Sequence, residues 1–458
     1  MQALSTPLST PIVPPPAALI TKYDRPAPRY TSYPTAMQFH AGVTAGDVQG
    51  WLAELPENEA VSVYIHFPYC QNLCLYCGCN MKVTNNAAPK QYYLDMLVRD
   101  IARTAKFIGT KLKISTLHFG GGTPTYMPPS GIAQIMAAVH EHFDFMPDHE
   151  FSVEGDPRHL DDAMIAALAN ASVNRVSLGV QDTNPVVQKA INRIQPLEMT
   201  ANAVKRLRAA GITKVNLDIL YGLPCQTLES ITQTVADVVA LNPDRLAAYG
   251  YAHVPWMKKH QTVLEQYPMP DAHTRAAMLA KATSDFTAAG YATIGIDHFA
   301  KPDDPLVQAF HHRTLNRNFM GYTTDHADTL LGFGCSAISQ LPQGFAQNTA
   351  QVGEYQAMVA DNRLPIVRGY AYQSQDIVIQ QLIRKLMCFF EVAEGEIPLN
   401  IRANALARMA ELEADGIVVR EAGMVKIPPA MRTFTRLAAA CFDQYLPAPS
   451  AQAHSKAV

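Results

Sequence analysis

The pattern of hydrophobic and polar positions alternates between two periods from about residue 60 to residue 251. Short apolar runs rich in β-branched residues are typical of strands, and longer stretches with one apolar face are typical of helices. The runs predict strands at residues 61–66, 114–119, 150–154, 175–180, 214–221 and 245–251. The stretches between them predict helices at residues 91–107, 130–143, 162–169, 200–210 and 228–241. Such repetition is typical of parallel βαβ units, so the sequence predicts an α/β fold, either a partial (β/α)6 barrel or a strongly curved open sheet.

Polar or glycine-rich residues follow every predicted strand or lie in its last part. The carboxyl ends of parallel strands lie at one edge of a sheet, where ligand sites form. Taken strand by strand, these signals are a cysteine-rich loop, Gly120 to Thr123, Glu154 with Asp156, Gln181 with Asp182, Asp218, and His253. Each signal alone is also consistent with a turn, a helix cap or a buried acid. Together they predict a ligand site at this edge.

The cysteine-rich loop contains Cys70, Cys74, Cys77 and Cys79, in the spacing C-x3-C-x2-C-x-C. Soft thiolate ligands select iron–sulfur clusters, zinc or Cu(I). A four-iron cluster held by three cysteines leaves one iron open for a small molecule. A structural zinc ion instead takes four protein ligands, and Cys79 or His66 is a candidate for the fourth. The spacing alone leaves both alternatives open.

The last part of the chain has a different pattern. It predicts helices at residues 376–388 and 401–414, a β-hairpin at residues 416–427 and a final helix at residues 430–445. Helices followed by a small hairpin resemble a winged helix, which in isolation suggests nucleic-acid binding. The charge of this segment is mixed rather than strongly basic, so we expect no nucleic-acid partner. At the other end of the chain, residues 1 to about 20 are rich in proline and are predicted to be a flexible tail.

Composition narrows the class of protein further. The chain has 458 residues and a formal net charge of −3, which argues against a nucleic-acid or anionic-membrane surface. No apolar run approaches the roughly 20 residues that a membrane span needs, so we expect no membrane partner and a cytoplasmic location. The eight cysteines are then better explained as metal ligands and buried thiols than as disulfides.

The cysteine loop, the preceding Tyr64 and the glycine run resemble the radical S-adenosylmethionine superfamily. Within it, the chain is similar to the oxygen-independent coproporphyrinogen III oxidase family over nearly all of residues 20 to 446. The strings that carry this resemblance are RYTSYPTA at 29–36, CGCN at 77–80, GVQD at 179–182, NFMGYTT at 318–324 and SAIS at 336–339. The first two are specific to this branch of the superfamily.

The resemblance implies a set of cofactors and their ligands. Cys70, Cys74 and Cys77 would bind a [4Fe–4S] cluster, and Cys79 would lie beside the site without being a ligand. One S-adenosylmethionine would be held on the cluster by Tyr64, Gly122, Thr123, Glu154 and Ile338. A second would be held by Tyr76, Gln181, Arg193, Asp218 and Ala252. Tyr76 stands where the family has phenylalanine, which adds a hydroxyl group to the second pocket.

The resemblance also implies the reaction. A 5′-deoxyadenosyl radical would abstract hydrogen from a propionate side chain, and loss of CO2 and one electron would leave a vinyl group. Two such events would convert coproporphyrinogen III to protoporphyrinogen IX, with an external electron donor and acceptor. The alternative on the same scaffold is a haem-binding chaperone, against which Cys79, the N-terminal string and Arg193 speak. Candidates for binding the substrate carboxylates are Arg29, Arg245, His253 and Arg317.

A three-part organisation follows from these patterns. Residues 1–50 are interpreted as an N-terminal tail and site-covering segment, and residues 51–365 as the catalytic barrel. Residues 366–458 are interpreted as a mainly α-helical, winged-helix-like lid. No long exposed apolar stripe is apparent, so a monomer is expected.

Overall fold

A twelve-stranded mixed sheet lies at the centre of the molecule. The computed structural model describes residues 14–446. In chain order the strands are β1 (Ala60–Phe67), β2 (Lys113–Gly121), β3 (Asp144–Gly155), β4 (Arg175–Gln181), β5 (Lys214–Tyr221), β6 (Arg245–Gly250), β7 (Ala292–Ile294), β8 (His298–Ala300), β9 (Thr329–Phe333), β10 (Ile338–Leu341), β11 (Gly344–Asn348) and β12 (Ile366–Ala371). Their order across the sheet is β12-β11-β10-β9-β1-β2-β3-β4-β5-β6-β8-β7.

The middle of the sheet is parallel and its edges are antiparallel. Strands β1 to β6 are parallel neighbours in chain order, which confirms the predicted α/β fold with a partial barrel. β9 adds a further parallel partner on the open side of β1, with Val63 opposite Leu331. Strands β10 to β12 and β8 with β7 extend the two edges in antiparallel fashion. The sheet therefore includes β12 at residues 366–371, whereas the sequence predicts that the barrel ends at residue 365.

Helices cover the outer face of the sheet. The predicted helices correspond to α3 (Ala87–Ile108), α4 (Pro129–His142), α5 (Asp162–Asn170), α7 (Leu197–Ala209) and α8 (Leu228–Ala240). The others up to residue 360 are α1 (Ala17–Tyr23), α2 (Ala45–Ala53), α6 (Pro185–Ala190), α9 (Ala272–Ala288), α10 (Pro305–His311) and α11 (Val352–Ala360). Helix α3 illustrates the local cause: one face buries Tyr93, Leu97 and Ile101, and Gly109 ends it with a left-handed φ of 79°. Among the helices of residues 14–446, none has the length and apolar character needed to cross a membrane.

The C-terminal part is mainly helical, as predicted. It contains α12 (Asp376–Phe389), α13 (Leu399–Ala414) and α14 (Thr435–Ala440). The predicted hairpin is present as Val419–Glu421 and Met424–Lys426, and Glu391–Ala393 pairs with it as a third strand.

The predicted final helix at 430–445 is wrong. The chain forms a 3₁₀ helix at Pro429–Phe434, then α14, and ends the helix at Ala440. The Asp443 carboxylate accepts hydrogen bonds from the Tyr445 N–H at 2.8 Å and from the Tyr30 hydroxyl at 3.0 Å. A short acidic side chain that bonds nearby backbone in this way stabilises a turn at the expense of a helix.

The N-terminal segment packs against the C-terminal part. Ile20, Tyr23, Tyr30 and Tyr33 are buried in one apolar cluster with side chains of α12, α13 and α14. The prediction of a flexible tail is therefore wrong for residues 17–20, which begin α1, because Ile20 has apolar partners that lie more than 350 residues away along the chain. Residues 1–13 of that predicted tail lie outside the described residues.

We expect Tyr23→Ala to lower the free energy of unfolding by about 3–5 kcal/mol, because a fully buried aromatic ring is removed. Its hydroxyl also donates to Asp415 at 2.5 Å, and its ring packs against Phe434 at 5.7 Å. Urea unfolding followed by fluorescence measures the change. The matched control is Tyr92→Ala, since Tyr92 is 47% exposed and should cost far less. Equal losses in both variants would contradict a structural role for the N-terminal segment.

Candidate cofactor site

The carboxyl ends of β1 to β6 open on one cavity of about 230 Å³. Its wall brings together most of the residues predicted from the sequence. These are Cys70, Cys74, Tyr76, Cys77, Cys79, Gly122, Thr123, Glu154, Gln181, Arg193 and Asp218. The predicted gathering of polar residues at this edge of the sheet is thus present as a single site.

The backbone of the cysteine loop is fixed from two sides. On one side the Leu75 N–H donates to the Ile191 carbonyl at 2.9 Å, and the Asn192 side chain donates to the Leu73 carbonyl at 2.8 Å. On the other side the 3₁₀ helix Lys259–Gln266 lies against the loop. Its Gln261 side chain, fully buried, donates to the Tyr76 carbonyl at 2.9 Å. Hydrogen bonds from two separate segments thus fix the backbone of the loop.

The thiols of this loop have different electrostatic surroundings. A hydrogen bond from the Cys79 thiol lowers the pKa of Cys77 to about 7, although burial opposes this shift. Burial raises the pKa of Cys70 to about 12, so a bound cation is needed to keep it as a thiolate at neutral pH. Cys74 lies 3.7 Å from one guanidinium nitrogen of Arg158 and 3.7 Å from one of Arg193. Two positive charges thus face the sulfur of Cys74.

The donor set fits an iron–sulfur cluster. Within residues 14–446, no group of three or more His, Cys, Asp or Glu side chains surrounds a single metal-ion position. A four-iron cluster binds each thiolate at a different iron atom, so its ligands need not converge on one point. Cys70, Cys74 and Cys77 line one cavity, and the neighbouring arginines suit an anionic group.

The glycine run after β2 is required by close backbone packing. A Cβ atom on Gly122 would lie 2.7 Å from the carbonyl carbon and oxygen of Pro68, where the cysteine loop begins. Gly121 has a φ of +119°, a conformation that side chains disfavour, and its N–H donates to Glu154 at 3.2 Å. The neighbour that requires glycine at position 122 is thus the backbone of the chain itself.

Glu154 presents an ionised carboxylate to the cavity. Burial opposes its ionisation, but hydrogen bonds from His118 at 3.4 Å and from the Gly121 N–H outweigh it and hold the pKa below its usual value. Tyr64 lies behind Gly120 rather than on the cavity wall, with its ring stacked on His118 at 5.8 Å. Glu154 is thus available as an acceptor for hydroxyl or ammonium groups.

Arg193 is buried between the cysteine loop and two strand ends. One nitrogen donates to Asp156 at 3.0 Å and another to the Gly179 carbonyl at 2.7 Å. Its Nε has no hydrogen-bond partner in the described part of the chain. Asp156 also accepts from Arg158 at 2.7 Å, and Arg193 and Arg158 together outweigh its burial and hold its pKa far below the usual range. Arg158 was not predicted, because its only signal in the sequence is its place two residues after a strand-end aspartate.

Asp218 lies across the cavity from the cysteine loop. Burial raises its pKa to about 6, although the Ser177 hydroxyl donates to it at 3.0 Å. Gln181, at the end of β4, shares this wall and has a left-handed φ of 68°. Tyr249 of β6 completes the wall and was not predicted.

Besides Tyr64, two predicted cofactor residues, Ala252 and Ile338, lie outside the cavity wall. Ala252 is connected to the loop indirectly, because the Gln261 side chain that binds the Tyr76 carbonyl also donates to the Ala252 carbonyl at 3.3 Å. Ile338 begins β10 and packs near Phe39 and Phe345.

The predicted substrate-binding residues fall into two groups. Arg245 is buried and bonded to Asp304 at 2.9 Å, and His253 bonds Glu265 at 3.1 Å, so both already have acidic partners. Arg29 and Arg317 are neighbours, since one Arg317 nitrogen donates to the Arg29 carbonyl at 3.4 Å.

Comparison with known proteins defines the class and then the family. The model of the radical SAM superfamily matches residues 64–238, which contain the cysteine loop and the ends of β1 to β5. The oxygen-independent coproporphyrinogen III oxidase of Bradyrhizobium diazoefficiens is 43% identical over 94% of this chain and 97% of its own length. That of Pseudomonas aeruginosa is 38% identical over 96% of this chain and 98% of its own length. The structure of coproporphyrinogen III oxidase from Escherichia coli, a radical SAM enzyme, superposes with a TM-score of 0.88 at 35% identity, over 95% of this chain and all of that one.

The chain therefore belongs to the oxygen-independent coproporphyrinogen III oxidase family. The resemblance found in the sequence is confirmed. The full-length likeness includes the N-terminal segment and the C-terminal helical part, which lie outside the region that the superfamily model matches.

We expect Gly122→Ala to lose most of the bound iron, because the new methyl group would clash with the backbone that leads into the cysteine loop. Iron and sulfide analysis of anaerobically reconstituted protein measures the loss. Gly78→Ala is the matched control, since Gly78 lies in the same loop and a Cβ there meets nothing within 4 Å. Full iron content in both variants would contradict the importance of this contact.

Proposed function

We propose that this chain converts coproporphyrinogen III to protoporphyrinogen IX without oxygen, by oxidative decarboxylation of two propionate side chains to vinyl groups. The observation that carries the proposal is the cavity, whose wall holds four cysteines, an ionised glutamate and a buried arginine within a chain that is similar to the named oxidases over nearly its whole length. The same likeness favours this function over a haem-binding chaperone on the same scaffold.

The cofactors are a [4Fe–4S] cluster and S-adenosylmethionine, as the superfamily implies. When bound, they supply the one-electron cleavage that gives a 5′-deoxyadenosyl radical. Cys70, Cys74 and Cys77 hold the cluster in this proposal. Arg158 and Arg193 offset its negative charge, because both face the sulfur of Cys74. Cys79 donates its hydrogen bond to Cys77 and lies beside the site.

The first S-adenosylmethionine is held in this proposal beside the cysteine loop, at the ends of β2 and β3. Glu154 accepts hydrogen bonds from hydroxyl groups of the ribose, since its carboxylate is ionised and open to the cavity. Gly122 lets the backbone pass close to the cysteine loop, and Thr123 donates to the Cys70 sulfur at 3.2 Å. Tyr64 supports this side from behind, and Ile338 remains a proposed contact.

A second S-adenosylmethionine is proposed for the opposite wall. Arg193 offers a buried Nε without a partner among residues 14–446, which suits a carboxylate. Asp218 suits the ammonium group of the same methionine, and Tyr76 and Gln181 lie on the wall beside them. Ala252 contributes through the Gln261 side chain that joins it to the Tyr76 carbonyl.

In this proposal the protein controls which carbon of the substrate reacts. A primary carbon radical is unselective, so the protein selects the reacting carbon by position and by excluding water.

The electron donor and the final acceptor are separate molecules in this proposal. We further propose that the protein acts as a cytoplasmic monomer without a nucleic-acid partner, given its near-neutral charge.

Anaerobic turnover of coproporphyrinogen III with S-adenosylmethionine and a reductant should yield protoporphyrinogen and 5′-deoxyadenosine together. Cys74→Ala should abolish both products, because a cluster ligand is lost. Cys225→Ala is the control, since Cys225 is outside the cavity and should retain both products. Deoxyadenosine without a vinyl product in the wild type would contradict the proposed substrate.

Binding at the second site should weaken as the pH falls through about 6, because the Asp218 carboxyl becomes protonated there and loses its negative charge. Equilibrium dialysis with labelled S-adenosylmethionine counts the molecules bound on both sides of this pH. Asp218→Asn should bind one molecule at every pH. Asp182→Asn is the control, because burial also raises the pKa of Asp182 to about 6 but its carboxylate bonds Gln226 and Asn184 away from the cavity. A wild-type stoichiometry that stays at two below this pH would contradict the role of Asp218.

A further inference from the structure

Four arginines from separate parts of the chain meet where β5 and β6 end. We call Arg29, Arg275, Arg317 and Arg436 the arginine cluster. Arg29 comes from the N-terminal segment, Arg275 from α9, Arg317 from the strand Asn316–Asn318, and Arg436 from α14. Their meeting depends on the packing of both ends of the chain on the barrel.

Neutral acceptors hold the cluster in position. Arg29 donates to the Gly250 carbonyl at 3.2 Å, and Arg275 donates to the Tyr251 carbonyl at 3.2 Å, so both are anchored at the end of β6. The Arg29 carbonyl in turn accepts from Arg317 at 3.4 Å. A backbone carbonyl fixes a guanidinium group without neutralising its charge.

Arg436 belongs to the same cluster. It donates to the carbonyl of Ala27, two residues before Arg29, at 3.1 Å. Burial together with the nearby charges of Arg29 and Arg275 lowers the pKa of Arg436 to about 10. Like charges thus lie close enough to repel one another, which costs folding energy unless an anion offsets it.

Part of the hydrogen-bonding capacity of the cluster is unused. In the described part of the chain, Nε and Nη1 of Arg317 and Nε of Arg275 are buried and have no acceptor. Buried N–H groups of a charged side chain are expensive to leave unpaired. Arg317 is stacked on the Tyr322 ring at 4.4 Å, which fixes its plane but satisfies none of these donors.

The acidic group that faces the cluster already has a partner. Asp297 accepts a hydrogen bond from the adjacent His298 at 2.7 Å, and a single carboxylate offsets at most one of the two positive charges of Arg29 and Arg317 that face it. The other group between the arginines is Tyr221, whose phenol is neutral at physiological pH because burial raises its pKa. An excess of positive charge with free donors therefore remains at this place.

The arginine cluster adjoins the cofactor cavity. Arg29 lies over the ring of Tyr249 at 5.9 Å, and Tyr249 forms part of the cavity wall. One aromatic ring thus separates the Arg29 guanidinium group from the cofactor cavity. A molecule that carries several carboxylates around one macrocycle can reach both.

We propose that the arginine cluster binds a carboxylate of the substrate that is not reacting, and so decides which propionate faces the cofactor cavity. This inference rests on the proposed function. Arginine suits the task because its planar guanidinium group donates two parallel hydrogen bonds to a carboxylate. Arg275 and Arg436 then join Arg29 and Arg317 as substrate-binding residues, whereas Arg245, which has its own acidic partners, does not.

Arg275→Gln and Arg317→Gln in the holoenzyme should each raise the KM for coproporphyrinogen III by roughly 10-fold or more, since a charged hydrogen bond is lost. The affinity for S-adenosylmethionine should stay within twofold of the wild type, and more deoxyadenosine should form per vinyl group. Arg275→Lys should recover part of the KM, because the charge is retained. Iron content and the thermal midpoint identify a variant that fails to fold, in which case Arg275→Lys and Arg29→Gln carry the test.

Arg363→Gln is the matched control, because Arg363 is exposed and, among residues 14–446, its guanidinium group pairs only with Asp361. A KM for Arg275→Gln and Arg317→Gln as low as that of this control would overturn the proposal. Direct binding of coproporphyrin III separates this result from a failure of the proposed function. If the wild type makes no vinyl product yet binds the porphyrin, weaker binding in the cluster variants still supports the arginine cluster, and unchanged binding contradicts it. Binding of the tetramethyl ester as tightly as the free acid would also contradict it.

Discussion

The buried guanidinium group of Arg193 is the contact on which the site depends. It joins the end of β3, through Asp156, to the end of β4, through the Gly179 carbonyl, and it faces the Cys74 sulfur. A charge buried this deeply is stable only when its partners are in place. Arg193 therefore connects the loop that carries the cysteines to the two strands whose ends carry acidic residues.

Contacts between distant parts of the chain also position the arginine cluster at the end of β6. The N-terminal segment and α14 pack together, and this packing brings Arg29 and Arg436 to the end of β6. The segment thus has a structural task in addition to any covering of the site. Tyr30 and Tyr33 show why, since both are buried against the C-terminal part and bond residues of it.

The strand-end signals explain how much could be predicted from the sequence. Residues such as Cys70, Glu154 and Asp218 follow or lie in apolar runs that only a buried parallel sheet explains, so their common edge could be inferred. Arg158 and Gln261 could not, because nothing in their local pattern separates them from surface residues. The split of the last helix depends on Asp443 bonding Tyr30, a partner some 400 residues away.

The sequence by itself determined the six central strands, the five helices between them, the cysteine spacing and the class of chemistry, because local periodicity and ligand type depend on neighbouring residues. Only the tertiary structure decided that β9 extends the parallel sheet, that Arg245 is bonded to Asp304, and that four arginines meet beside Tyr249. These features depend on contacts between residues far apart in the chain. The packing of the whole molecule determines which polar groups have a partner in the folded protein. No local sequence pattern contains this information.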